Sequence, residues 1–425
     1  MGKNLIDILI LCVIFFLRLP AFNIFSDFFN RTTHSLAIFF ILIIFLKTLL
    51  DKRVKKINDF DKVLFLLILT NILALSLSII HAVNLISYFK KFKDYLISFL
   101  LFIIISIYFK KKDIKKIINT LLFATAISLL LQIISYLNLV FFNFFINFIH
   151  PQGSMFIEYQ ASRNRFFGEF LDEVMFPIIF FLMLRTKNKN IFFSYLSLIS
   201  LIIIITIVSN WRTKQLVLLF SIFLLYVYFF IYNSKIKFMI NKFNKLKFIF
   251  ISFFILLFFL LSYLVSLNLT GQNSFTRIIF PTELDIKSIE SRLNMFKDAF
   301  LIGKDFPLTG VGLGNFYDYW FSKEKNSIKL SLVSFNDFPL IDDPHNIFTS
   351  LFVETGLFGL LSYFFLIAYL FFSDINKLLL TRKNYMIIFV IFSSWSLFLF
   401  SLSNPIGFSY LSLFWILRAI IYKLS

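Results

Sequence analysis

The sequence predicts an all-α polytopic membrane protein with about 12 transmembrane helices and one large extramembrane loop. Three observations carry this. The chain has 425 residues, of which 59% are hydrophobic, with a mean hydropathy of +0.85. Many apolar runs reach roughly 20 residues, the length that crosses a bilayer as a helix. The basic residues collect between alternate runs, as the positive-inside rule requires. The runs are too long and continuous for barrel strands.

In order, the spans are expected at 4–19, 35–50, 63–83, 95–109, 117–137, 171–184, 191–208, 215–232, 248–267, 346–372, 385–402 and 406–422. No small-residue cleavage site follows the first, so it reads as a span and not as a signal peptide. Residues 138–149 are apolar but short, and suit an interfacial position. With both termini in the cytoplasm, the inside segments hold 23 basic residues and five acids. Their net +18 is nearly the whole formal charge of +19. The basic balance therefore reports topology and contact with anionic lipid, not nucleic-acid binding. Lys90, Lys91 and Lys93 break the pattern, because they fall outside.

The chain divides into helices 1–9 over 1–267, a large loop over 268–345 and helices 10–12 over 346–425. The loop carries eight bases and ten acids, a soluble-like balance. Within it Ile286, Ile289, Leu293, Phe296 and Phe300 recur at helical steps and predict an amphipathic helix over 286–300. Arg292 then lies on its polar side. A glycine-punctuated turn follows, Pro307-Leu308-Thr309-Gly310-Val311-Gly312-Leu313-Gly314-Asn315-Phe316. The aromatics Tyr317, Tyr319, Trp320 and Phe321 argue for an ordered loop.

A single cysteine, Cys12, excludes intrachain disulfides and thiolate clusters. The four histidines, His34, His81, His150 and His345, lack ligand-like spacing, so no metal is expected.

Several polar residues need a reason at the membrane. His345 stands at the mouth of the tenth span, where Asp343 suits a helix cap and Pro344 its first turn. Glu354 lies about two turns deeper, where a carboxylate costs ~2.5–3.5 kcal/mol and must face protein or water. It shares a face with Asn346 and Ser350. Thr355 and Gly359 form a small-xxx-small step that suits close helix contact. Ser209-Asn210-Trp211-Arg212-Thr213-Lys214 forms a tight outside hairpin with Arg212 at the bilayer edge. Arg163-Asn164-Arg165 precedes the sixth span. Asp172 and Glu173, just inside that span, suit its helix dipole.

Together these residues resemble the O-antigen ligase and O-antigen polymerase superfamily. Pro344-His345-Asn346 followed by Glu354-Thr355-Gly356-Leu357-Phe358-Gly359 is similar to the family's His-Asn, then Glu-x-Gly-x-x-Gly, at the end of its large periplasmic loop. Arg292, Phe296 and then Pro307 to Phe316 resemble its Arg, an aromatic four residues on, and Pro-Leu-x-Gly-x-Gly. Here the aromatic is Phe where Trp is common. Ser209-Asn210-Trp211-Arg212 is similar to the family's Ser-Arg-Gly, with two extra residues and Thr213 in place of Gly. Arg165 to Gly168 matches Arg-x-x-Gly without the usual Asn-Pro-Asn.

The resemblance implies an inverting, metal-independent glycosyl transfer without nucleotide. A glycan would move from undecaprenyl diphosphate to an acceptor hydroxyl on the periplasmic face of a bacterial inner membrane. In this reading His345, Arg292 and Arg212 are catalytic. Arg212, Arg292, Arg165 and Asn346 bind diphosphate or glycan. Asp343, Pro344, Glu354, Gly356, Gly359, Gly310 and Gly312 support them. The acceptor is lipid A-core for a ligase, and a second carrier-linked glycan for a polymerase. A protein O-oligosaccharyltransferase and a lipid-glycan transporter are the other readings, although no half-to-half repeat favours transport.

Overall fold

A computed structural model describes residues 3–18, 32–50, 61–137, 171–208, 212–236, 283–324, 344, 346–380, 385–402, 404 and 407–425. All regular structure among them is helical. The helices are α1 (Lys3–Arg18), α2 (Thr32–Leu50), α3 (Lys62–Leu77), α4 (Leu85–Tyr108) and α5 (Ile114–Leu137). Next come α6 (Phe176–Arg185), α7 (Lys189–Val208), α8 (Arg212–Ile236), α9 (Glu283–Gly303) and α10 (Phe316–Glu324). The last are α11 (Ile347–Leu380), α12 (Tyr385–Ser401) and α13 (Phe408–Leu424). Four stretches, Lys62–His81, Lys111–Ile133, Lys189–Ile207 and Ile347–Leu379, are long and apolar enough to cross a membrane. Ser35–Thr48, Thr213–Val227 and Tyr385–Ser401 are shorter apolar helices. The ninth expected span, 248–267, and the segment 138–149 lie outside the described residues.

The bundle packs α3 against α11, α4 against α13, α1 against α2 and α5, and α12 against α6, α8 and α13. Large aromatics fill one of these contacts. Trp415 meets Phe99 at 4.7 Å and Phe102 at 5.4 Å between ring centroids. Small hydroxyls tie the same pair and a second one, with Ser98 to Ser412 at 3.3 Å and Ser221 to Ser396 at 2.7 Å. Asn71 Nδ2 donates to Ser362 Oγ at 3.0 Å and joins α3 to α11. Such pairs satisfy polar groups where lipid offers no partner.

Contacts near the helix ends give the bundle a consistent direction. At one end Tyr369 donates to Asp61, Arg418 pairs with Asp374, and Lys111 Nζ donates to the Leu424 carbonyl at 2.9 Å. At the other, Asn346 Nδ2 donates to the Leu402 carbonyl at 2.8 Å and the glycine turn meets the α3–α4 joint. The basic segments around 62, 111 and 377 therefore lie opposite the loop.

Two expectations are corrected. The fourth helix starts ten residues earlier than 95, at Leu85. Asn84 caps it, its Oδ1 accepting from Ile86 N at 3.1 Å and Ser87 N at 3.2 Å. Lys90 and Lys93 are tolerated on this helix because their stems carry the charge outward. The amphipathic helix runs from Glu283 to Gly303 and turns a different face to the protein. Met295, Asp298, Ala299 and Ile302 are buried, whereas Leu293, Phe296 and Phe300 are exposed. An apolar stripe at a membrane surface is compatible with lipid, so the protein takes the stripe of smaller residues. By helical rotation Arg292 then stands at the edge of the packed face, not on the opposite polar side.

Arg418 is buried against Asp374 and sits 4.9 Å over the Trp395 ring. Asp374 also accepts from Trp395 Nε1 at 2.9 Å. Asp374→Leu leaves a buried guanidinium unpaired and is expected to cost about 3–5 kcal/mol. Adding Arg418→Met recovers most of that loss, as read by thermal unfolding in detergent.

Candidate functional site: a broken helix docked on a glycine turn

Helix α11 is interrupted at Gly356, whose φ is 64° and ψ −164°. A break frees carbonyls before it and N–H groups after it. The Pro307–Gly312 turn takes both sets. Val311 N donates to the Val353 carbonyl and Gly312 N to the Glu354 carbonyl, each at 3.0 Å. Leu357 N donates to the Pro307 carbonyl at 2.8 Å and Phe358 N to the Leu308 carbonyl at 3.2 Å.

This docking needs backbone against backbone. A Cβ on Gly310 would lie 2.3 Å from the Glu354 carbonyl carbon, and one on Gly356 would lie 2.3 Å from the Leu308 carbonyl carbon. Both residues also have positive φ. Gly359 has a different reason. The Thr355 side chain occupies its flank, with Oγ1 1.8 Å from an added Cβ, so this small-xxx-small step is filled within the helix.

The turn also sits on the α3–α4 joint. Leu313 N donates to Ser78 Oγ at 3.3 Å, and Asn84 N donates to the Asn315 side-chain oxygen. His81 stacks on Phe306 with centroids 4.0 Å apart. Gly314 lies against the Ser87 carbonyl and the Lys91 stem.

One ion pair completes the junction. Lys91 Nζ lies 3.0 Å from both carboxylate oxygens of Glu354. Glu354 is buried, which its depth in the tenth span requires. Lys91 was legible only as an exception to the inside-positive pattern. Around the pair, Ala299, Ile302, Val311, Phe316 and Val353 form a small core that joins α9, the turn and the first half of α11.

The start of α11 differs from the expected Asp343–Pro344 device. Asn346 is the cap, its Oδ1 accepting from Phe348 N at 2.9 Å and Thr349 N at 3.2 Å. Both ends of its side chain are thus engaged in holding α11 and the Leu402 segment. Pro344 is buried just before it. His345, Asp343 and Arg165 lie outside the described residues.

Arg212 opens α8, two residues before the fully buried Lys214. The Arg212 side chain is not among those described. Lys214 Nζ lies 3.7 Å from Glu173, which also accepts from Thr206 Oγ1 at 3.0 Å. Neighbouring Asp172 pairs with Arg18 and accepts from Ser128 Oγ at 2.9 Å and Gln132 Nε2 at 2.7 Å. These two acids are buried interhelical anchors and not merely dipole partners at a helix start.

Arg292 is exposed near the loop-side mouth, and surrounding protein lowers its pKa from the ordinary value by desolvation. A guanidinium starts so high that it keeps its charge. Among the described residues, no group of three or more His, Cys, Asp or Glu is arranged to hold a metal.

Two tests follow from the junction. Gly356→Ala is expected to destabilise the purified protein by about 3 kcal/mol, through strain at positive φ and the clash with Leu308. Lys91→Met and Glu354→Gln are each expected to lower stability by about 2–3 kcal/mol, and the double variant by clearly less than their sum. Denaturation midpoints of the four proteins in one detergent measure that coupling.

Residues 198–364 match the protein-family model described as O-Antigen ligase. No curated protein matches the chain. The matched stretch contains, in order, Arg212, Arg292, the glycine turn, Asn346 and the break at Gly356. It therefore brings a ligase- or polymerase-type glycosyl transfer and a membrane location with it. Residues 198–364 thus carry the signature of the O-antigen ligase superfamily.

Proposed function

We propose that this protein is an O-antigen ligase-type glycosyltransferase. It moves a glycan from undecaprenyl diphosphate to a hydroxyl of lipid A-core, with inversion and without metal or nucleotide. The observation that carries the reading is the family match over 198–364, which spans both segments of the docked turn and broken helix. In this reading about twelve spans cross a bacterial inner membrane, with both termini cytoplasmic and the 268–345 loop periplasmic.

The chemistry is a single displacement. The acceptor oxygen attacks the anomeric carbon, the bond from that carbon to the phosphate oxygen breaks, and the diphosphate leaves with both electrons. Charge grows on the leaving group, so fixed cations lower the barrier. Arg212 and Arg292 suit this role because guanidinium stays charged and binds phosphate through paired N–H groups. His345 takes the acceptor proton, since imidazole is largely neutral near pH 7. Arg165 assists in diphosphate or glycan binding. Asn346, next in sequence to His345, caps α11 and anchors it to the Leu402 carbonyl, which supports a positioning role for that residue. Polymerisation uses the same bonds with a second carrier-linked glycan as acceptor.

The test is transfer in vitro from undecaprenyl diphosphate glycan, without metal or ATP, to lipid A-core and to a second carrier-linked glycan in separate reactions. Product on lipid A-core supports the ligase, and a lengthened carrier-linked glycan means polymerase. His345→Ala and Arg292→Ala are each expected to lower the rate roughly 100-fold or more while the protein remains monodisperse. Full rates in both variants would remove these residues from the mechanism.

A further inference from the structure

The three lysines that break the inside-positive pattern separate into two roles. Lys91 points inward to Glu354. Lys90 and Lys93 are exposed on the first half of α4. Ile86, Phe89, Lys90 and Lys93 recur at steps of three and four, so they share one helix face. Ile86 is 68% exposed and Phe89 55%, far from a protein core. With Leu85 these residues line one open hollow of about 390 Å³.

Its composition selects the ligand. The walls are three large apolar side chains, and the polar groups are the two ammoniums. Apolar walls suit hydrocarbon chains, and ammonium groups at a bilayer surface suit phosphate. A glycan would need an array of hydrogen-bonding groups, and this lining has none beyond the lysines. Lys93 also lies 3.5 Å from Asp94, an exposed neighbour pair too weak to neutralise the face. The net positive charge of the chain is concentrated at the other end of the bundle, so two lysines on this exposed face stand out as a local cationic site.

We propose that Lys90 and Lys93, with Leu85, Ile86 and Phe89, bind the phosphodiester of an anionic phospholipid in the loop-side leaflet. The acyl chains lie along Ile86 and Phe89 while the two ammoniums hold the phosphate. The glycine turn rests on the same stretch of α4, with Gly314 against the Ser87 carbonyl. A bound lipid therefore braces the platform on which the turn and the broken helix dock. The inference is independent of the donor and acceptor assigned above.

The experiment uses the purified full-length protein in nanodiscs of phosphatidylglycerol and phosphatidylcholine in equal amounts, with retained lipids counted by native mass spectrometry. Wild type is expected to retain phosphatidylglycerol preferentially, and Lys90→Gln/Lys93→Gln to lower that preference roughly tenfold. Lys90→Arg/Lys93→Arg should keep it. Equal retention of the two lipids by wild type, or an unchanged preference in the Gln variant, would overturn the proposal. So would displacement of phosphatidylglycerol from these lysines by an equimolar polyprenyl diphosphate, which would assign the site to a carrier lipid instead. The substitutions are on exposed side chains, and an unchanged thermal midpoint of the Gln variant in lipid-free detergent verifies its fold.

Discussion

At Gly356 helix α11 gives up its own ladder, and the Pro307–Gly312 turn supplies four backbone hydrogen bonds in return. Within a membrane protein this exchange is obligatory. A freed N–H or carbonyl facing hydrocarbon costs several kcal/mol, so irregular backbone survives only where protein or water meets it. The turn can do so because Gly310 and Gly356 let two backbones approach within the space of a missing side chain. Most other features of the loop-side mouth follow from that contact. Helix α9 packs on the first half of α11 through Ala299, Ile302 and Val353, and α10 adds Phe316 to the same small core.

The junction is braced from a distant part of the chain. Ser78, Asn84 and Lys91 belong to the α3–α4 joint, and each touches the turn or the broken helix. The Lys91–Glu354 pair matters most. A carboxylate buried at the break would otherwise be taken up as a neutral acid or exclude the helix from the membrane. With an ammonium 3.0 Å away it becomes a fastener between α4 and α11. Similar logic governs Asp172 with Arg18 and Asp374 with Arg418, which pin other helices at buried positions. These buried charges are arranged as pairs because an unpaired one has no solvent to turn to.

Much of this was legible in the sequence, and the misses share a cause. Hydropathy expresses a one-dimensional rule about bilayer thickness, so the all-helical class and the apolar helices could be read directly. The glycine turn and the Glu354–Gly359 stretch were recognisable as motifs. Their meaning was not. At Gly359 an added Cβ would meet the Thr355 side chain of the same helix. Asp343 and Pro344 looked like the start of α11, yet the cap is Asn346. The apolar stripe of α9 looked like its packing face, yet membrane-surface helices need not bury their most apolar side in protein.

Sequence alone therefore determined the class, the helical elements and the family to which residues 198–364 belong, because each depends on local composition or on a pattern of neighbours. It also marked Lys90, Lys91 and Lys93 as exceptions without a reason. Only the tertiary structure decided that Lys91 answers Glu354, that the turn repairs the break in α11, and that residues 78–91 form the platform beneath both. Those are contacts between segments separated by 42 to 263 residues. No periodicity records them, since they arise from where buried polar groups find partners after the helices have packed.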